Sequence, residues 1–417
     1  MVKLLHFADV HLGVENYGQP DPATGLHTRL LDFLRSFDEM IDRAEDEKVD
    51  LAIFAGDAYK TRNPSPTHQR EFALRIKRLA EQCPVVLLAG NHDVYNAKGR
   101  ASTLDIFGIL STPGSARYPI TVANRPGVVD VLTDRDDVVQ VVTLPWVVRS
   151  HLLAGADTAG LTDGGVTKAI EDRLRVVIEG LLGQIHPDLP TVLAAHGTVP
   201  GAVYGSEHTV MLGREIMLPP ELLADGRVDY VALGHIHRHQ VLWDLRPPMI
   251  YPGSIDRVDF GEEREPKGFV LAHIERGSAR YEFIELQSAR PFVTIEVDAD
   301  GDEPLRQVQE AIAGHAYGQD AIVRLIIHTT PEANAMLSDA EIHAALEGAH
   351  HVASVVRDVK RETRQRLGGP EENASQMAPI ELLGSYFESK ETPRERATVL
   401  LKHAEGVMAS VDQGGEG

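Results

Sequence analysis

Cysteine is nearly missing from this chain. The single Cys83 excludes an internal disulfide, so a reducing, cytoplasmic setting is expected. Long apolar runs are missing too. Stretches such as Val85-Val86-Leu87-Leu88-Ala89 fall far short of the roughly 20 residues a membrane helix needs, and no signal-peptide pattern opens the chain. No Gly-x-x-x-x-Gly-Lys-Ser/Thr occurs, so any ATP-driven step needs another chain. Basic charge is scarce: 41 Lys and Arg stand against 62 Asp and Glu, a net charge of −21. That sum argues against nucleic acid, because phosphate binding usually needs a basic field. It does not exclude it, since a site holding divalent cations changes the local sign.

What is present is ordinary soluble-globular composition, 43% hydrophobic and 25% charged over 417 residues, enough for two or three domains. Apolar runs at Val2–Phe7, Leu51–Ala55 and Pro84–Ala89 read as strands. Between them lie amphipathic helices. Residues 27–48 carry the stripe Leu30, Leu31, Leu34, Phe37, Ile41 and Ala44, and Pro64-Ser65-Pro66-Thr67 opens a second helix with Phe72, Ile76 and Leu79. This order predicts a βαβαβ unit with parallel strands, whose ligands bind beyond the carboxyl ends. Residues 118–145 read as three short antiparallel strands, and a helix at about 166–185 leads to further strands ending near His196 and His235. The expected fold class is mixed α/β, a core of two sheets flanked by helices.

Five segments with metal-ligand residue types each follow a strand: Asp9-Val10-His11, Gly56-Asp57, Gly90-Asn91-His92-Asp93, Ala195-His196-Gly197 and Gly234-His235-Ile236-His237. Taken singly, each has a bland reading as a turn or a cap. Together they supply Asp9, His11, Asp57, Asn91, His196, His235 and His237, three oxygen donors and four imidazoles. Such a mixture suits manganese, iron or zinc better than calcium. Seven donors exceed the needs of one ion; two ions sharing Asp57 would use them all. Two ions roughly 3.5–4 Å apart clamp a phosphoryl group and activate water. His92 is left over, either to act on the phosphate or leaving oxygen or to orient a ligand, with Asp93 available as the partner that orients it.

These segments match the signature of calcineurin-like metallophosphoesterases. With Tyr251-Pro252-Gly253-Ser254-Ile255-Asp256-Arg257 and Phe260-Gly261-Glu262, the chain resembles the SbcD-type DNA repair exonucleases of that superfamily. The resemblance implies one metal held by Asp9, His11, Asp57 and His237, and a second by Asp57, Asn91, His196 and His235. His92 would act on the scissile phosphate. Two divalent ions, usually manganese, are implied as cofactors. The implied partners are DNA ends, single- or double-stranded, and an SbcC-like ABC-type ATPase; the implied assembly is a homodimer within a heterotetramer. The implied activity is an exonuclease, with endonuclease action, in DNA-end processing. The alternative is a phosphoesterase acting on a small phosphoester such as a cyclic nucleotide. Lys60 stands where some relatives carry a histidine, which bears on the balance of exonuclease and endonuclease action.

Beyond the motifs the pattern restarts. The expected organisation is a nuclease domain at 1–287, a small α/β module at 288–364 resembling a DNA-capping domain, a linker at 365–379, and helices at 380–410 for the ATPase. The basic run Arg357, Lys360, Arg361, Arg364 and Arg366 is either a phosphate contact or a solvated face.

Overall fold

The structure is a computed structural model. It describes residues 1–95, 100–112, 114–135, 137–153, 162–205, 216–244, 246–315, 320–360, 379–390 and 392–412.

The chain opens as expected: β1 (Val2–Phe7), α1 (Thr28–Glu47), β2 (Leu51–Phe54), α2 (Pro66–Ala80) and β3 (Val85–Leu88). Local chemistry sets the helix ends. The His27 ring caps α1 by accepting from Arg29 N, and Lys48 closes it in a left-handed conformation. Ser65 caps α2 by accepting from His68 N, with Pro66 in the first turn, where its missing N–H costs nothing. The chain then runs through α3 (Asp105–Leu110), β4 (Ile120–Ala123), β5 (Gly127–Leu132), β6 (Val138–Leu144), α4 (Arg149–Leu152) and α5 (Asp163–Leu182). Next come β7 (Thr191–His196), α6 (Pro220–Leu223), β8 (Tyr230–Gly234), β9 (Gln240–Trp243), β10 (Met249–Tyr251), β11 (Gly268–Glu275) and β12 (Ser278–Glu285).

These strands form two six-stranded sheets, in the orders β12-β11-β1-β2-β3-β4 and β5-β6-β7-β8-β10-β9. The second has a parallel centre and an antiparallel pairing at each edge; in the first, β1 to β4 pair parallel and β11 pairs antiparallel with both β1 and β12. The expected two-sheet core is therefore present. One detail differs from expectation. Only β5 and β6 of the three strands at 118–145 pair antiparallel; β4 extends the first sheet parallel to β3. Its short polar-bounded run carries no mark of direction, which is set by where α3 returns the chain.

Strand alternation explains the layering. Leu4, Leu51, Ile53, Val86 and Leu88 of the first sheet meet Val139, Val141, Val192, Ala194 and Ala232 of the second. The opposite faces pack on helices. Leu5, Phe7 and Phe54 cluster with Phe33, Phe37 and Met40 of α1 and Phe72 and Ile76 of α2. Leu193, Val231 and Leu233 cluster with Leu174 and Ile178 of α5. Each fully buried Leu, Ile or Phe here contributes about 1.5–3 kcal/mol. With both faces covered, the rim at the carboxyl ends of the parallel strands is where loops can carry chemistry.

Further on lie β13 (Phe292–Asp298), α7 (Pro304–Gly314), β14 (Ile322–Thr329), α8 (Pro331–Asn334), α9 (Asp339–Ala345), β15 (His351–Val359), α10 (Pro379–Ser389) and α11 (Arg394–Asp412). Strands β13, β14 and β15 form a third sheet in that order. By contact density the chain divides into two compact units. One holds 1–297, 308–327 and 338–356; the other holds 298–307, 328–337 and 357–417. Within the second, α10 packs on α11, and Arg357 reaches Asn334 Oδ1 at 3.3 Å. Arg361, Arg364, Arg366 and positions 365–378 of the expected linker lie outside the described residues.

Candidate metal centre

All eight residues singled out from the sequence converge at the strand ends of the first unit. Asp9 and His11 follow β1, Asp57 follows β2, and Asn91 and His92 follow β3. From the second sheet, His196 ends β7, and His235 and His237 follow β8. Three sets of donors each gather within 4.8 Å: Asp9, His11 and His237; His11, Asp57 and His92; and Asp57, His196 and His235. Asp57 is shared by two of them. Asn91 joins through Oδ1, 3.0 Å from both His196 Nε2 and His235 Nδ1. Seven of the eight are buried; His92 is half-exposed.

The backbone here is strained. Asp9 (φ 54°), His11 (φ 47°), Asp57 (φ 65°) and His235 (φ 103°) occupy the left-handed region that L-residues rarely adopt. Such conformations cost on the order of 1–3 kcal/mol each and persist where surrounding contacts enforce them. Those contacts are explicit. Asp9 N donates to Gly56 O at 2.9 Å, and His11 N to Asp57 O at 3.1 Å, zipping the two loops together. The buried Asp93 carboxylate accepts from Asp57 N (2.8 Å), Ala58 N (3.1 Å) and Gly90 N (2.9 Å). Gly90 has no room for a side chain, because a Cβ would overlap Oδ1 and N of Asp57.

Across the gap the sheets hold each other. His235 N donates to both carboxylate oxygens of Asp9, at 3.2 and 3.0 Å. His196 Nδ1 donates to Ala55 O at 2.6 Å, and His237 Nδ1 to Glu262 Oε1 at 2.8 Å. An acceptor on Nδ1 fixes the tautomer and leaves the Nε2 lone pair for a ligand. His196 Nε2 then lies 3.5 Å from Asp57 Oδ2, and His237 Nε2 lies 2.9 Å from His11 Nε2.

The electrostatics ask for a cation. Burial pushes the Asp9 carboxyl up to about 7 despite the pull of His196 and His237. Burial drives His11 well below the usual imidazole range, toward its neutral, ligating form. Burial alone would raise Asp57, but His196 and His92 hold it well below the ordinary carboxylate range. His196 is desolvated yet carried up to about 9 by Asp57. Buried carboxylates facing imidazole lone pairs fit divalent metal ions, which resolve the cost of burying such groups.

His92 differs from the rest. Its amide donates to Asp57 Oδ1 at 2.8 Å, and its Nδ1 donates to Lys60 O at 2.6 Å. Its ring stands edge-on to His11, centroids 5.1 Å apart. Asp93 is not its orienting partner, contrary to one expectation; that carboxylate is taken up by three backbone amides and the Thr103 hydroxyl, and the Lys60 carbonyl does the orienting. Sequence reasoning also missed Trp146, whose ring lies 5.2 Å from that of His235, and Arg62, which donates to Asn91 O through Nε and Nη2 at 3.2 and 3.1 Å. Neither carries a local signal, since neither lies within a metal-type segment. Glu262 was legible only as part of a resemblance.

A helix-flanked pair of sheets with buried carboxylate and imidazole clusters along one rim defines a class of enzyme: a metal-dependent hydrolase of phosphoesters. The chain belongs to the calcineurin-like phosphoesterase family, whose profile matches residues 2–239, more than half its length. It is 28% identical over 301 residues to the SbcD component of the nuclease SbcCD from Bacillus subtilis, covering 70% of this chain and 71% of that one. It is 26% identical over 417 residues to the SbcD component from Rhodobacter capsulatus, covering 93% and 94%. It is 26% identical over 334 residues to the DNA double-strand break repair protein Mre11 of Archaeoglobus fulgidus, covering 76% and 66%. None of the described helices is long and apolar enough to cross a membrane.

Proposed function

We propose that this protein is a metal-dependent DNA nuclease, an exonuclease with endonuclease action, and the nuclease component of an SbcCD-like DNA-end-processing complex. Asp9, His11, Asp57 and His237 hold one divalent ion; Asp57, Asn91, His196 and His235 hold the other. Manganese suits this oxygen and imidazole mixture. The ions, when bound, supply Lewis acidity and charge neutralisation at a phosphodiester. The chain's own part is to fix the donors in strained loops, to exclude bulk water from seven of them, and to present His92 at the opening.

The observation that carries this reading is the contrast between His92 and its neighbours. It is the half-exposed member of a buried set, and its ring is locked through Nδ1 to the Lys60 carbonyl. A ring so held keeps one nitrogen for a substrate, where it contacts the scissile phosphate or protonates the leaving oxygen. Relatives named as nucleases of an SbcCD complex, and one named for DNA double-strand break repair, support DNA as substrate and an SbcC-like partner chain. The module at 288–364 serves as the DNA-capping domain, and the helices at 380–410 dock on the ATPase. The enzyme works as a homodimer in the cytoplasm.

The test is digestion of linear single- and double-stranded DNA with manganese by wild type, Asp57→Asn and His92→Gln. Wild type should degrade DNA. Asp57→Asn should lose metal and activity, whereas His92→Gln should keep its metal and lose about 10²–10⁴-fold in rate. If wild type with its ATPase leaves DNA intact yet cleaves a cyclic nucleotide, the substrate assignment is wrong. Co-purification of the ATPase with a chain lacking residues 380–410 would refute the docking role.

A further inference from the structure

The stretch from Tyr251 to Lys267 supplies none of the proposed metal donors, yet it grips one of them, His237, at three points. Ser254 N donates to the His237 carbonyl at 3.0 Å. Lys267 Nζ donates to the same carbonyl at 3.1 Å and to Ser254 Oγ at 3.0 Å. Glu262 Oε1 takes the Nδ1 proton of the ring at 2.8 Å. Gly253, at φ +82°, lets the strand end pass this close, since a Cβ there would meet the His237 carbonyl at 2.7 Å.

Glu262 and Lys267 are themselves fully buried. Their ion pair is 2.8 Å long, and Glu262 Oε2 also accepts from Val258 N at 2.9 Å. Buried pairs of this kind rarely add net stability, because desolvation offsets their attraction, and an apolar pair of like volume would serve the fold as well. What an apolar pair could not do is hold an imidazole by its Nδ1 proton. The effect of the pair is therefore on His237, not on the core.

We propose that Glu262 and Lys267 are positioning residues for one of the two metal ions. Lys267 holds the Glu262 carboxylate in place at 2.8 Å; Glu262 fixes the His237 tautomer and aims Nε2 at His11 Nε2, 2.9 Å away. The two ring nitrogens and Asp9 then form one donor set. The other set, around Asp57, His196 and His235, has a different orienting acceptor, Ala55 O on the His196 ring. The pair thus acts on one ion and leaves its neighbour alone. The inference rests on the metal assignment made above.

The test is calorimetric titration of the chelator-stripped full chain with manganese, comparing wild type, Glu262→Gln and the double variant Glu262→Gln/Lys267→Met. The double variant removes the two fully buried charges together; Glu265, the second carboxylate on Lys267 at 3.1 Å, is partly exposed to water. Wild type should bind two ions. Both variants should bind one as wild type does and the other about 10–100-fold more weakly. The far-UV circular dichroism and metal-free melting of the double variant should stay close to wild type, and raised manganese should restore DNA cleavage to Glu262→Gln. Unchanged affinity for both ions overturns the proposal, and so does equal weakening of both. A wild-type chain that takes up two ions but leaves DNA intact sinks the nuclease reading alone; one that takes up none overturns both.

Discussion

The two sheets furnish the site in different ways. The loops after β1, β2 and β3 bring every oxygen donor, Asp9, Asp57 and Asn91, together with His11 and His92. The loops after β7 and β8 bring imidazoles, His196, His235 and His237. The oxygen side is shaped by backbone: left-handed residues, amides donating to carboxylates, and Asp93 tying Asp57, Ala58 and Gly90. The imidazole side is shaped by side-chain protons, with the Nδ1 of His196 and of His237 each handed to an acceptor. A carboxylate has two oxygens and tolerates rotation, so its loop must be fixed. An imidazole must first have its tautomer fixed. Each side thus restrains the degree of freedom its ligand type leaves open.

The largest effect should come from the residue on which both sides converge. Asp57→Asn should abolish binding of both ions and lower phosphodiesterase turnover by about 10³-fold or more, whereas His196→Ala should remove one ion and leave the set around His11 able to bind. Metal counting by elemental analysis beside a turnover assay separates the two. Equal loss in both variants would mean that the sides are not independent, and the comparison would fail.

Next in size is the backbone scaffold of the oxygen side. Asp93→Asn exchanges an acceptor for an amide NH₂ among three buried N–H groups. That should cost on the order of 2–3 kcal/mol and lower the metal-free melting temperature.

How legible this was from the residues follows the same division. Strand ends and donor types could be read directly, because each donor sits close behind an apolar run whose pattern marks a strand. The βαβαβ unit was readable for the same reason. What resisted was whatever depends on a distant partner. Its position beside His92 makes Asp93 available to that ring, yet it serves amides of two loops that tertiary structure brings together. The value of Glu262 depends on Lys267 and on His237, 25 residues away. The direction of β4 depends on sheet order, which its four residues, Ile120–Ala123, do not encode. Local pattern places elements, whereas contacts across the gap decide which polar side chain serves which.

The two sides should also separate by pH. In the metal-free protein Asp57 carries His196 up to about 9, above the 6.5 of an ordinary imidazole. Its contribution is then complete below about pH 6.5 and lost as pH rises toward 9. Asp9, raised to about 7, acts in the same direction between roughly pH 4 and 7. Metal-free stability should therefore decline from pH 7 to 9, at no more than about 1.4 kcal/mol per unit for one group. Metal binding needs deprotonated donors, so the stabilisation that manganese brings should grow over the same interval. Thermal melts with and without manganese at pH 7, 8 and 9 would show the two curves diverging; parallel curves would contradict the link.

The smallest expected effect lies at the seam between backbone and side-chain control. Asn91 is an oxygen donor whose side chain faces two imidazoles, while its own carbonyl accepts two bonds from Arg62. A planar guanidinium makes both bonds at once; an ammonium makes one and keeps the charge. If the Asn91 loop is held like the rest of the oxygen side, Arg62→Ala should weaken the ion at Asn91, His196 and His235 a few-fold, by about 1 kcal/mol. Arg62→Lys should restore about half of that. If instead charge near the site is what matters, lysine should restore all of it. The ratio of the two losses, read by manganese titration, decides whether Arg62 belongs to the scaffold of the oxygen side or merely to its field.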